Sequence, residues 1–163
     1  MAELQSVLGE RLPCADDIPN LNYAEMTLAE SMRLYPPTWL FVRVARDDDE
    51  LPGGTTIPAG SKLFFCPYVT HRQARYFPDP ERFDPQRFSD EAKRDRPKFA
   101  YFPLGGGPRL CIGQALARME GVLVLACILR RFRFELVPGQ CITPAPRVTL
   151  SPRRGIVMKV HRR

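Results

Sequence analysis

The pattern of apolar and polar positions changes along the chain, and predicts helices, strands and one aperiodic segment. Leu21, Met26, Leu28, Ala29 and Met32 supply the apolar contacts of a helix predicted over 22–35. Asn22 is placed to cap it, with Glu25 three residues on as the reciprocal partner of a capping box, and Pro36-Pro37 ends it. Two short apolar runs follow, "WLFVRVA" and "KLFFCPYV", separated by the turn-rich "DDDELPGGTTIPAGS". They predict a small strand–turn–strand sheet. From His71 to Phe102 all periodicity is lost, yet the recurring phenylalanines argue for an ordered, packed meander over 77–102. Apolar residues at helical spacing return with Leu116, Ala117, Met119, Leu123 and Ala126, predicting a buried helix over 113–131. The tail, "RFRFELV", "RVTLSP" and "GIVMKV", predicts strands.

At 163 residues the chain is one domain or a piece of one, and 44% hydrophobic residues are enough for a sizeable core. The net charge of +6 admits an acidic protein, a nucleic acid or an anionic membrane as partner, and equally a solvated basic surface. Charge alone decides nothing. Of the five cysteines, Cys66 and Cys127 sit among apolar neighbours and are expected to be buried small hydrophobes. No C-x-x-C pair occurs, which argues against a zinc knuckle. The first residues include acids and no apolar core of signal-peptide length. The greasiest run, "GVLVLACIL", is far short of the ~20 residues of a membrane span. A reducing, cytoplasmic setting is the expectation.

Two constellations carry chemistry. Glu30 and Arg33 lie three apart, on one face of the first predicted helix. A second arginine from the meander, Arg82 or Arg87, would turn an ordinary helix pair into a buried charge network. The other constellation is "FPLGGGPRLCIG". Gly105, Gly106 and Gly107 permit positive φ and close backbone approach to a flat ligand. Pro108 keeps Gly107 out of the helical region. Cys111 then stands at a helix start, where free amides and the helix dipole favour a thiolate. Gly113 removes a side chain where a ligand would lie. A phosphate-cradling loop is excluded, because no Lys-Ser/Thr follows and Leu110 breaks G-x-G-x-x-G. Thiolate ligation of iron is the better account.

"GGGPRLCIG", "ESMR" at Glu30–Arg33 and "FDPQRF" at Phe83–Phe88, in this order around a strand pair and a proline-rich meander, together resemble the cytochrome P450 haem-thiolate monooxygenases. The likeness spans residues 1–163 as a single partial domain, the C-terminal part of a longer one. It implies a mainly α fold with small β-sheets (α+β). It places the ExxR helix at 22–35, the meander at 77–102, the cysteine loop at 103–112 and the following helix at 113–131. The implied cofactor is heme b (iron protoporphyrin IX), with Cys111 as its axial thiolate and metal ligand. By the same resemblance Arg109 and Arg43 pair with propionates, and Leu104, Gly105, Gly107, Ile112, Gly113 and Ala117 lie against the porphyrin. Glu30 and Arg33 lock the meander, and the family's F-x-P-x-R-F register makes Arg87 their third member. "PERF" at Pro80–Phe83 is a decoy one step early.

Two departures stand out. The family places phenylalanine seven residues before the cysteine, where this chain has Leu104, while Phe102 is out of register. The distal helix that delivers protons to bound dioxygen has no counterpart in these residues. The resemblance implies insertion of one oxygen atom of dioxygen into a lipophilic organic substrate. Electrons would come from a ferredoxin or flavoprotein reductase on the cysteine side, where Arg72, Lys93, Arg94, Lys98 and Arg118 offer positive charge. The rival expectation is a truncated, non-catalytic remnant that holds haem weakly or not at all. A nucleic-acid-binding module is disfavoured, since the arginines are scattered.

Overall fold

The computed structural model describes all residues from 1 to 163. A short helix α1 (Ala2–Leu8) leads through a 3-10 turn into α2 (Asn22–Leu34). Strands β1 (Phe41–Val44), β2 (Asp49–Leu51), β3 (Thr55–Ile57) and β4 (Lys62–Phe65) follow, then the single-turn helix α3 (Pro67–Thr70) and, within the meander, α4 (Asp90–Arg94). Helix α5 (Gln114–Arg131) runs directly into β5 (Phe132–Leu136). Strands β6 (Pro144–Pro146), β7 (Leu150–Pro152) and β8 (Met158–Arg162) complete the chain. All four sheets are antiparallel pairs: β1 with β4, β2 with β3, β5 with β8 and β6 with β7.

The apolar core joins the two long helices to the first. Leu4 and Leu8 of α1, Leu21 and Ala24 beside and on α2, and Val122 and Ala126 of α5 form one buried cluster. The helices approach closely because Gly121 has no side chain: a Cβ there would stand 2.6 Å from Leu28 Cδ2. The opposite flank of α5 is bare, with Leu116, Val124 and Ile128 exposed. The expected fully buried helix is therefore covered on one side only, by α1 and α2. Cys66 and Cys127 are likewise half-buried rather than enclosed.

Two local expectations are corrected. Asn22 does not cap α2: it is the first helical residue, and Leu21 occupies the cap position without a side-chain bond. The free amides of Tyr23 and Ala24 instead donate to the Glu3 carboxylate, the latter at 3.0 Å. A carboxylate at a helix N-terminus satisfies the orphan donors and complements the dipole, wherever in the chain it comes from. Glu25, expected in the capping box, is ion-paired with Arg118 of α5. The turn-rich segment between the two apolar runs is also more than a turn. It holds the β2–β3 hairpin, reversed at Gly53 and Gly54 with φ of +108° and +84°.

Candidate functional site

The site begins with a charge pair taken wholly out of water. Glu30 and Arg33 are both fully buried on α2. Arg33 Nε and one terminal nitrogen donate to the two Glu30 oxygens at 2.6 and 2.8 Å, a bidentate fork. Glu30 Oε1 also accepts from the Asp84 backbone N–H at 2.8 Å, and Arg87 Nε stands 3.5 Å from it. The remaining Arg33 donors reach the carbonyls of His71 at 2.9 Å and Arg82 at 3.3 Å. Of the two meander arginines, Arg87 thus brings its guanidinium to Glu30, while Arg82 offers only its carbonyl. Phe77 lies beneath the Arg33 guanidinium at 5.1 Å. Arg96 covers Phe77 and Phe88 and donates to the Arg87 carbonyl. Both Glu30 oxygens and most Arg33 donors are hydrogen-bonded, which offsets the desolvation of this pair, although the buried Arg87 Nε has no hydrogen-bond partner.

His71, which sequence reasoning passed over, connects this pair to the cysteine loop. Its ring is fully buried, with Nδ1 3.3 Å from the Arg33 carbonyl and Nε2 accepting from the Phe102 N–H at 2.9 Å. Since the amide can only donate, Nε2 is bare and Nδ1 carries the proton. Tyr101 packs at a tilt of 33° against the ring, 5.1 Å away, and donates its hydroxyl to the Ala29 carbonyl at 3.0 Å. Burial raises the Tyr101 pKa well above the ordinary phenol range.

Burial likewise pushes the His71 pKa down to about 4, helped by the charges of Arg33, Arg72 and Arg96 and opposed by the bond to the Arg33 carbonyl. An unfolded chain protonates His71 near the ordinary 6.5, whereas the folded one resists until about 4. Stability is therefore complete above the first value and falls as pH drops toward the second, by about 3 kcal/mol in all. Urea unfolding between pH 7 and 5 should show this slope in the wild type, and His71→Gln should flatten it. Equal slopes in the two proteins would contradict the assignment.

The loop itself is folded by its own backbone. Gly105 N–H donates to the Phe102 carbonyl at 3.1 Å, and Cys111 N–H to the Leu104 carbonyl at 3.2 Å. Gly105 and Gly107 hold φ of +83° and +70°, conformations that side chains rarely adopt. A Cβ on Gly106 would lie 2.8 Å from the exposed Phe99 ring, so glycine lets that ring lie against the loop. Gly107–Arg109 make one 3-10 turn, and the Gln114 N–H on the Cys111 carbonyl opens α5. Phe102, out of register in the sequence, packs edge-on against His71 at 5.3 Å and Phe41 at 6.1 Å. The contact with Phe41 brings β1 to the root of the loop, and the Arg43 guanidinium lies 4.9 Å over that same ring. Leu104 is half-buried.

Cys111 is exposed, and Ile112 beside it is completely so. Ala115, Leu116 and Ala117 continue this exposed surface onto the first turn of α5. A Cβ on Gly113 would stand in ordinary contact with the Cys111 sulfur, at 3.9 Å. The outcome is a lone soft donor on a shelf of small and apolar residues, with Arg109 exposed on the same loop. No group of three or more His, Cys, Asp or Glu side chains is arranged to hold a metal ion. One thiolate, a glycine-rich approach and cationic side chains fit the donor set of a haem better than that of a zinc site.

Three of the five cations expected on the cysteine side are ion-paired, and Arg94 and Lys98 are not. Arg72 pairs with Glu81 at 3.0 Å and lies over Tyr68, Lys93 pairs with Asp90 at 3.5 Å, and Arg118 pairs with Glu25. Beside them an open groove of about 550 Å³ runs between α2, the meander and the start of α5, floored by Met26, Met32, Phe88 and Leu104. No helix is long and apolar enough to cross a membrane.

Comparison with known proteins agrees with this geometry. The family model described as cytochrome P450 matches residues 1–160. Cyclooctatin synthase of Streptomyces melanosporofaciens is 41% identical over 92% of this chain, which covers 32% of that protein. Putative cytochrome P450 132 of Mycobacterium tuberculosis is 40% identical over 100% of this chain and 35% of its own length. The crystal structure of the cytochrome P450DA heme domain superposes with a TM-score of 0.91 and 26% identity, covering 99% of this chain and 36% of that one. The chain thus spans about a third of the length of the relatives it matches. Its helices and small antiparallel sheets are an α+β portion of that fold, and the chain belongs to the cytochrome P450 family.

Proposed function

We propose that these residues are the haem- and iron-binding part of a haem-thiolate monooxygenase, with Cys111 as the residue whose sulfur would hold the iron of heme b. The observation that carries the proposal is an exposed thiol on a glycine-built loop whose root is bonded, through His71, to the buried Glu30–Arg33 pair. When bound, haem with a thiolate ligand supplies dioxygen activation, because the thiolate's electron density favours O–O cleavage. The protein's own contributions are positional. Leu104 and the glycines fix the thiol by backbone bonds, and Gly113 and Ala117 keep the shelf flat. Arg109 and Arg43 are suited to pair with propionates, while Glu30, Arg33 and Arg87 hold the meander beneath. The substrate class is a lipophilic organic molecule, and electrons come from a ferredoxin or flavoprotein reductase.

A second reading, a remnant that is not catalytic alone, is favoured by the uncovered shelf. Ile112 is wholly exposed, and the outer flank of α5 carries Leu116, Val124 and Ile128 into solvent. Oxygen chemistry requires exclusion of water and donors placed where charge develops, and nothing among these 163 residues covers the Cys111 side.

One preparation tests both readings. Haem-loaded protein, reduced under carbon monoxide, should show the red-shifted band of thiolate ligation. Given a generic electron donor and lipophilic substrates, the chain alone should consume electrons without yielding product. Absence of the thiolate band sinks the first reading. Tight coupling of product to electrons sinks the second.

A further inference from the structure

We propose that His71 is the positioning residue that sets the cysteine loop on the Glu30–Arg33 frame, by bonding one ring nitrogen to α2 and the other to the Phe102 amide at the loop's root. This rests on the reading of Cys111 as a ligand only for its functional consequence. The bonds themselves are properties of the chain.

The case is geometric. Arg33 and His71 exchange two hydrogen bonds: the guanidinium donates to the His71 carbonyl at 2.9 Å, and His71 Nδ1 donates to the Arg33 carbonyl at 3.3 Å. That carbonyl lies in the last turn of α2, where backbone acceptors lack helical partners. The other nitrogen takes the Phe102 N–H at 2.9 Å, at the residue from which the loop turns. The Phe102 carbonyl then accepts from Gly105, and the next residue, Leu104 after Pro103, offers its carbonyl to Cys111 N–H. A short chain of bonds thus runs from a fully buried ion pair to the backbone of the exposed cysteine. Tyr101 and Phe102 hold the ring from two sides, at 5.1 and 5.3 Å, and Phe77 stands at 6.4 Å. The imidazole has no freedom to turn, and both of its nitrogens are occupied.

A ring that merely filled the core would be replaceable by any side chain of its size. A positioning ring must keep an acceptor at the Nε2 position, which glutamine reaches and asparagine and phenylalanine do not. Hydrogen exchange of the Phe102 amide, measured on the full chain without haem, reads this directly. His71→Gln should keep its protection within about twofold of wild type, whereas His71→Asn and His71→Phe should speed exchange about fivefold or more. After haem loading, the share of protein with the thiolate band should fall in the same order. Nitrogen NMR of the wild-type chain should show the proton on Nδ1 and a bare Nε2, a readout that requires no variant to fold. Wild-type exchange rates in the Asn and Phe variants, no protection in the Gln variant, or a proton on Nε2 would overturn the proposal. A missing thiolate band in wild type, with the exchange pattern intact, would instead count against the haem-ligand reading alone.

Discussion

Cys111→Ser is expected to erase the thiolate signature of the haem-loaded protein completely while leaving its fold in place. The substitution exchanges sulfur for oxygen and nothing else. The loop's bonds at this position use the backbone: Cys111 N–H donates to Leu104, and its carbonyl accepts from Gln114. The side chain is exposed and contributes little packing. Unfolding free energy should therefore shift by no more than about 0.5 kcal/mol, as for most surface changes. A hydroxyl is a far weaker acid than a thiol and does not supply the soft anionic donor that thiolate ligation requires. Cys127→Ser and Cys66→Ser are the controls. Cys66 Sγ lies 3.3 Å from the Trp39 carbonyl, and Cys127 is half-buried on α5. Both should retain the carbon-monoxide band of the wild type. Survival of that band in Cys111→Ser, or its loss in a control that remains folded, would refute the assignment of the ligand.

The largest loss of stability is expected from Glu30→Ala. Removing the carboxylate leaves Arg33 fully buried with no counter-charge, and it also orphans the Asp84 amide. Breaking one partner out of a buried pair costs about 3–5 kcal/mol, against a typical domain stability of about 5–15 kcal/mol. Arg87→Ala should be damaging but less so. Its guanidinium stands 3.5 Å from Glu30 and donates to the Asp79 carbonyl at 2.9 Å, and Arg33 remains to hold the carboxylate. Arg82→Ala should be mild, because the network uses only the Arg82 carbonyl, which alanine keeps. Urea unfolding followed by circular dichroism would rank the three. Equal losses for Arg82 and Arg87, or a Glu30→Ala variant as stable as wild type, would show that the network is not what holds the meander.

The ExxR helix, the cysteine loop and the helix after it were legible in the sequence because each depends on neighbours a few residues away, and the family resemblance because its three motifs stand in one order along the chain. A helix needs only its 3.6-residue period, and the loop needs glycines where φ is positive, at Gly105 and Gly107. The β2–β3 hairpin was missed because the same turn residues that separate strands can also close a shorter hairpin of three-residue strands. The cap of α2 was assigned to Asn22 by local pattern, whereas Glu3 supplies it from twenty residues upstream in the chain.

Local order alone, then, pointed to the two long helices, to where the backbone must bend and to the thiol at a helix start, but not to α1, nor to α3, which occupies part of a run predicted as strand. Tertiary structure decided what each polar side chain faces. Arg72, Lys93 and Arg118 were available cations in the sequence and are ion-paired in the fold. His71 was an unremarked histidine in an aperiodic segment and is the fully buried bridge between α2 and the Phe102 amide. The arginine choice within the meander followed from the register of the family resemblance, and the fold agrees with it: the Arg87 guanidinium stands beside Glu30, whereas Arg82 offers only its carbonyl. The reason is physical: backbone periodicity is set by contacts within one turn, whereas the partner of a charge or a ring nitrogen is whichever group the packed core brings within hydrogen-bond reach.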